Sequence, residues 1–331
     1  MSIGNATMKA LVYEGPRTMN MREQPIPVLQ ADEVLIRIQY VGICGSELSG
    51  FLGHNSLRKP PLVMGHEFAG TIAQVGPNVS RLRLGDRVTA NPLVTCGRCT
   101  YCRTGSSQLC RERQLVGAHR PGAFAEYVAI PERNVFQLQD GTSFEEGALA
   151  EPFACAVHVC SQLALAPTDK LAIYGAGPIG LLALQAARLY GVQEIVILDL
   201  NEARLDIAKQ LGATAAAKLE LTSYAPGDFD CAIDAVGAEI TRLKSVQAVR
   251  AGGRVVFTGL HEAESKLPIN DMIRNEVTAK GAFAYSEQDF AAAVRWIEQK
   301  RVHLQPWTVI APLEEGGAYF DTLITNPGSI A

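Results

Sequence analysis

The 331-residue chain has no surplus of basic residues. Its 30 Lys and Arg stand against 34 Asp and Glu, for a formal net charge of −4. That balance argues against the basic stripe or patch with which nucleic-acid-binding domains meet phosphate. No long apolar run is present either. The longest hydrophobic stretches are broken by Gly, Gln or a charge before the roughly 18 to 20 residues that a membrane span needs, so no membrane partner is expected. The N-terminal MSIGNATMKALVYEG lacks a charged start followed by an apolar stretch and a cleavage site, so no secretory signal is expected. Internal repeats and low-complexity tracts are absent. What remains is 47% hydrophobic and 19% charged, an ordinary globular composition long enough for about two domains. The cytoplasm is the expected compartment, and it keeps thiols reduced.

Against these absences stands a concentration of sulfur. Cys96, Cys99, Cys102 and Cys110 fall within the run CGRCTYCRTGSSQLC. Two residues separate each of the first three, and such gaps let one loop aim several sulfurs at one centre. A disulfide pair is the alternative, but in a cytosolic protein this spacing points to zinc held by four thiolates. Four protein ligands leave no open position, so this zinc is expected to be structural, and chemistry must be sought elsewhere.

The first half of the chain reads as β-rich. Segments 33–43 (EVLIRIQYVGI), 68–76 (FAGTIAQVG) and 122–130 (GAFAEYVAI) mix β-branched residues with polar alternation and end at turn residues. The character changes near Glu151. From Lys170 the order is strand, glycine turn, helix, strand, helix, followed by the short apolar strands FDCAIDAVG and GRVVFTGL. That alternation predicts a parallel sheet with helices on both faces. SEQDFAAAVRWIEQKRV reads as a late helix. The expected division is a β-rich domain over 1–153 carrying the cysteine loop 96–110, a doubly wound domain over 154–283, and a segment 284–331 that returns to the first domain.

Gly175-Ala176-Gly177-Pro178-Ile179-Gly180 sits between the strand LAIY and the helix LLALQAARLYG. An ordinary glycine turn is the bland alternative. In this context, however, Gly175 suits the tight turn, Gly177 the approach of a pyrophosphate, and Gly180 the packing of helix on strand. Asp199 ends the next strand about 20 residues on, where an acid hydrogen-bonds the adenosine ribose hydroxyls and repels a 2′-phosphate. NAD is therefore expected over NADP. Arg204 could soften that preference or be a surface charge. Val236-Gly237 and Thr258-Gly259 end later strands, where ligands gather in such sheets.

Cys44 and the triplet Gly65-His66-Glu67 lie at the ends of apolar segments in the first half. Alone, Cys44 reads as a buried apolar residue and His66 as a hydrogen-bonded core histidine. Together they supply the ligand types of a catalytic zinc, which takes three protein ligands and leaves one position open.

With Cys44-Gly45-Ser46, Gly65-His66-Glu67, the four-cysteine loop, Glu151-Pro152, and Gly175 to Gly180 with Asp199, the chain resembles the zinc-dependent medium-chain dehydrogenases, the alcohol/polyol dehydrogenase superfamily. The resemblance spans most of the chain. It implies an α/β fold made of a GroES-like catalytic domain plus a Rossmann domain, with the active site in the cleft between them. It also implies two zinc ions per chain and NAD as cofactors. Cys44 and His66 would bind the catalytic zinc, with Glu67 binding directly or alternating with water. Glu151, in LAEPFACAVHVC, resembles the sorbitol, galactitol-phosphate and threonine dehydrogenase branch, where a glutamate near the metal makes a harder site suited to polyols. Its alternative is a carboxylate at a helix N-terminus. The implied reaction passes hydride from a secondary alcohol to the nicotinamide and a proton to Ser46. The implied assembly is a homodimer or homotetramer.

Two departures accompany the resemblance. Many members read Cys-Gly-Ser-Asp-Leu-His, whereas this chain has Glu47 and Ser49. The histidine relay is therefore in doubt, and His54 is the nearest substitute. The family also closes with a β-strand after an Asn-Pro-Gly turn, whereas this chain stops at Ala331, so that strand is expected to be missing or supplied differently. A phosphorylated substrate would need a basic pocket, for which Arg58, Lys59 and Arg120 are candidates and scattered surface charges the blander reading. Threonine, a simple alcohol, and a non-catalytic zinc- and NAD-binding regulator remain as alternatives.

Overall fold

The computed structural model describes residues 6–219, 225–304, 307–326 and 328. The last residues of the chain, on which the expectation of a missing final strand rests, fall largely outside them. Two compact units are present: Met1–Glu151 with Ser286–Lys300 and Val309–Pro327, and Pro152–Tyr285 with Arg301–Thr308 and Gly328–Ala331.

The first unit is built from short antiparallel strands. β1 (Thr7–Gly15), β2 (Thr18–Pro25) and β4 (Leu62–Val63) form one sheet, with β1 central. β3 (Glu33–Gly42), β5 (Glu67–Val75), β6 (Arg87–Ala90), β9 (Tyr127–Pro131) and β10 (Val135–Gln137) form a second, in the order β10-β6-β5-β3-β9. β7 (Leu93–Val94) and β8 (Gln114–Leu115) pair as a small ribbon. The helices of this unit are α1 (Gly45–Phe51), α2 (Thr100–Arg103), α3 (Phe144–Ala148), the start of α4 (Ala150–Leu163), α9 (Glu287–Glu298) and α10 (Gly316–Thr325). Phe320 of α10 is fully buried and packs on Phe51 and Phe124, with ring centroids 5.2 and 5.7 Å away. Burying a side chain of that size contributes about 1.5–3 kcal/mol and fixes α10 to this unit.

One predicted strand is shorter than expected. Residues 122–125 do not join the β9 ladder. Their backbone instead bonds to Val63, Met64, Gly65 and Leu11, because a buried chain must satisfy each N–H and C=O with whatever partner lies nearest.

The second unit is a six-stranded parallel sheet ordered β13-β12-β11-β14-β15-β16, from β11 (Lys170–Tyr174), β12 (Glu194–Asp199), β13 (Ala215–Lys218), β14 (Phe229–Asp234), β15 (Val249–Phe257) and β16 (Thr278–Gly281). The central strands bury nearly every residue, as strands covered on both faces do. α5 (Pro178–Leu189), α6 (Glu202–Gln210), α7 (Glu239–Ala248) and α8 (Ile269–Arg274) alternate with them. β13 and β16 are not predicted from sequence: AAAK has no β-branched side chain and TAKG only Thr278, too few for a strand to announce itself. The β-rich unit and the parallel α/β unit match the expected fold class.

Candidate metal and cofactor sites

The end of one ladder assembles the first site. β3 pairs with β5 so that Gly42 lies opposite Glu67. Cys44 follows the end of β3 and His66 precedes the start of β5, so the two meet although 22 positions apart in the chain. One ligand atom each from Cys44, His66 and Glu67 lies within 4.8 Å of the others. Glu67 fits only because Gly42 has no side chain: a Cβ built there would fall on the Glu67 carboxylate.

The residues that fix this cluster include one whose role the sequence did not reveal. Glu47, at the third position of α1, is fully buried. Its Oε1 accepts from His66 Nδ1 at 2.7 Å and from Gly65 N at 2.8 Å, and its Oε2 accepts from Cys44 N at 3.1 Å. It thus clamps the backbone on both sides and turns the other ring nitrogen of His66 towards Cys44 and Glu67. Such a carboxylate–histidine contact orients a metal ligand and raises its basicity. The capping-box spacing to Cys44 was readable; the reach to His66 was not.

The electrostatics of the cluster call for a cation. Burial, then the Cys44 and Glu151 charges, push the Glu67 carboxyl well above its usual range. Burial would depress His66, but the charges of Glu47 and Cys44 outweigh it and raise the imidazole well above its ordinary value. Burial likewise opposes the Cys44 thiolate, yet His66 lowers that thiol. Several acidic groups buried together are costly unless a cation balances them, and a thiolate, an imidazole and a carboxylate are the donors zinc accepts. Glu151, buried in the first turn of α4, stands outside the 4.8 Å cluster but bears on Cys44 and Glu67 through its charge.

Ser46 Oγ donates to Cys44 Sγ at 3.3 Å and accepts from Arg58 Nη2 at 3.1 Å. Arg58 is therefore no surface charge: it is 4% exposed. Lys59 is exposed, and Arg120 is engaged by the buried Glu33. His54 is exposed.

In the second cluster, Cys99 and Cys102 sulfurs lie 3.5 Å apart, Cys96 and Cys110 3.6 Å, and Cys96 and Cys102 3.9 Å. A tetrahedron with 2.3 Å arms has edges of about 3.8 Å, so the loop between β7 and β8 already has the dimensions of a four-thiolate zinc site. Backbone N–H groups of Arg98 and Cys99 bring the Cys96 thiol down to about 7, while burial and Cys99 push Cys102 up to about 11. Of the other cysteines, Cys160 and Cys231 are buried and burial raises both thiols, whereas Cys155 is only half-buried.

In the second unit, the glycine turn leaves β11 and opens α5, with Gly177 as N-cap and Pro178 at the first helical position. Gly175 has φ +102, and a Cβ on Gly180 would overlap the Gly175 carbonyl. Gly177 alone faces open space, with only Arg204 Nη1 at 4.0 Å from its Cβ position. That opening, together with the free N–H groups of the helix start, suits a pyrophosphate. Asp199 Oδ2 accepts from Ala176 N at 2.7 Å and Oδ1 from Asn201 N at 2.8 Å, so the acid is held at the turn. Arg204 Nε donates to Gly328 O at 3.0 Å. Val236-Gly237 and Gly259 pack backbone on backbone, and no Cβ fits on either glycine.

Comparisons with known proteins identify the family. Residues 30–140 match the family model for the alcohol dehydrogenase GroES-like domain, and residues 178–299 that for zinc-binding dehydrogenase. The chain is 36% identical to the protein named "Probable D-xylulose reductase A" of Aspergillus clavatus, covering 89% of this chain and 87% of that protein. It is also 36% identical to the sorbitol dehydrogenase of Bacillus subtilis, covering 84% and 83%. An alcohol dehydrogenase of Escherichia coli, solved with NADH, superposes with a TM-score of 0.93 at 26% identity over 99% of this chain and 98% of that one. The chain belongs to the zinc-dependent medium-chain dehydrogenase family, in its polyol dehydrogenase branch.

Proposed function

We propose that this protein oxidises a secondary alcohol of a polyol or sugar alcohol to the ketone, with NAD as hydride acceptor and two zinc ions per chain. The observation that carries the reading is the trio of half-buried Cys44 with buried His66 and Glu67, a three-donor set that would leave one coordination position for substrate. Zinc supplies Lewis-acid polarisation of the alcohol, and the nicotinamide carries the hydride. The chain's own residues hold and orient. Glu47 fixes the His66 ring, Gly42 leaves room for the Glu67 carboxylate, and Ser46 presents a hydroxyl beside Cys44 that can accept a hydrogen bond from the substrate hydroxyl and orient it. Glu151 adds negative charge that strengthens cation binding. Cys96, Cys99, Cys102 and Cys110 would hold the structural zinc.

Asp199, held at the glycine turn, supports NAD over NADP, and Arg204 beside Gly177 is the counterweight. Val236, Gly237, Thr258 and Gly259 would border the cofactor. A homodimer or homotetramer is in keeping with β16, a sheet-edge strand exposed at all four positions. All eight cysteines are free, which suits the cytoplasm. Among the described residues no helix is long and apolar enough to cross a membrane. The test is a panel of sorbitol, xylitol, sugar phosphates, threonine and simple alcohols, each with NAD and with NADP. Turnover is expected with neutral polyols and NAD. Turnover confined to threonine or simple alcohols, or none with any alcohol, would overturn the reading.

A further inference from the structure

The segment between α1 and β4 carries an arginine in an unusual place. Arg58 is almost fully buried, and its Nε has no hydrogen-bond partner among the described residues. Burying a guanidinium with an unsatisfied N–H costs stability, so the position calls for an explanation beyond packing. Its surroundings are shaped to admit it. Gly50 lacks a side chain where Arg58 passes: a Cβ there would overlap Cδ of the arginine. The segment also makes two side-chain hydrogen bonds to Ser46, while the Arg58 charge bears on buried Glu47 as well. Asn55 Nδ2 donates to the Ser46 carbonyl at 3.4 Å, Asn55 O accepts from Arg58 N at 3.1 Å, and Arg58 Nη2 donates to Ser46 Oγ at 3.1 Å. The Ser46 hydroxyl in turn points its hydrogen at Cys44 Sγ, 3.3 Å away. A hydroxyl has one hydrogen and two lone pairs. With the hydrogen on Cys44 and one lone pair on Arg58, its rotor is fixed and one lone pair is left free.

We infer that Arg58 is a positioning residue that acts through Ser46, locking its hydroxyl so that the remaining lone pair is offered to the substrate. The inference rests on the reading of Cys44 as a metal ligand and Ser46 as the group nearest the substrate. Arg58 itself touches neither substrate nor metal.

A double-mutant cycle with Arg58→Met and Ser46→Ala tests it, with Arg58→Lys as a second variant in case the first does not fold. In the wild-type background, Arg58→Met should lower kcat/KM for the best polyol on the order of 10- to 100-fold, the range for losing a bond to a charged group. The loss should fall in kcat and leave Tm unchanged or raised, because a buried unsatisfied group has gone. In the Ser46→Ala background, the same substitution should change kcat/KM by less than about twofold. Arg58→Lys, which keeps the charge but not the fork, should recover only part of the loss. A second readout does not depend on turnover. With Co(II) exchanged into the chelator-labile site, the thiolate-to-cobalt absorption band should shift in Arg58→Met and in Ser46→Ala, with no further shift in the double variant. A polyol-inactive wild type would overturn the proposed function yet leave this spectroscopic cycle to judge Arg58. Additive losses in the cycle, a fall in Tm that tracks the fall in activity, or an unmoved cobalt band would each overturn the role given to Arg58.

Discussion

Replacing Glu47 by Gln should weaken the chelator-labile zinc site without unfolding the protein. Gln is nearly isosteric, so no cavity forms, but it cannot reproduce the bonding. In the native arrangement Oε1 serves His66 Nδ1 and Gly65 N, and Oε2 serves Cys44 N. If the amide oxygen of Gln takes the His66 side, its NH2 faces the Cys44 N–H, and two donors oppose each other in a fully buried place. Leaving one buried donor unpaired costs about 1–3 kcal/mol, and the two remaining bonds lose their charge assistance. Changes in such outer-shell partners typically cost about 10- to 100-fold in metal affinity, equivalent to about 1.4–2.7 kcal/mol. Competition with a chromophoric chelator measures the affinity of each zinc separately. A 10- to 100-fold loss confined to the labile zinc is expected. Unchanged affinity there, or an equal loss at the four-cysteine site, would refute the view that Glu47 orients His66.

Gly42→Ala should displace the Glu67 carboxylate, weakening the labile zinc about tenfold or more by the same titration, while thermal stability holds because β3 keeps its ladder. Cys99→Ser should remove the structural zinc and lower Tm by more than about 5 °C, with the ratio of kcat/KM values across the polyol panel unchanged. Zinc uptake should release protons. The raised Glu67 and His66 groups hold protons in the metal-free site, whereas the metal needs a carboxylate and a neutral imidazole. Where Cys44 is already a thiolate, affinity should therefore rise with pH by up to about two log units per unit while both groups are protonated, and level off once pH passes their raised values. Calorimetry in buffers of different ionisation enthalpy reads the count, and an affinity that falls with rising pH would contradict the sign.

The legible parts of this protein were those fixed by local spacing. The cysteine run predicted its cluster because four sulfurs on one short loop can hardly avoid meeting. The glycine turn predicted its neighbours because strand, turn and helix follow directly in the chain. Cys44 and His66 pair by ligand type and by resemblance, not by spacing. What brings them together is the antiparallel register of β3 and β5, which no single segment encodes. Glu47 was readable as a departure from aspartate but not as the clamp on His66, and Arg58 read as a surface charge because burial of a loop arginine depends on Gly50 and Ser46 standing opposite it. β13 and β16 escaped notice because their place in the sheet comes from neighbouring strands and not from their own side chains.

The central claim is that the chemistry belongs to the open site of Cys44, His66 and Glu67, while the four cysteines hold structure. Metal content and polyol-dependent NAD reduction, followed together during chelation, test it most directly. The account predicts two zincs per chain, loss of one to a mild chelator in step with loss of activity, and return of both on adding zinc. Full polyol oxidation after the labile zinc has gone, or in a Cys44→Ala variant that retains only the other, would contradict it.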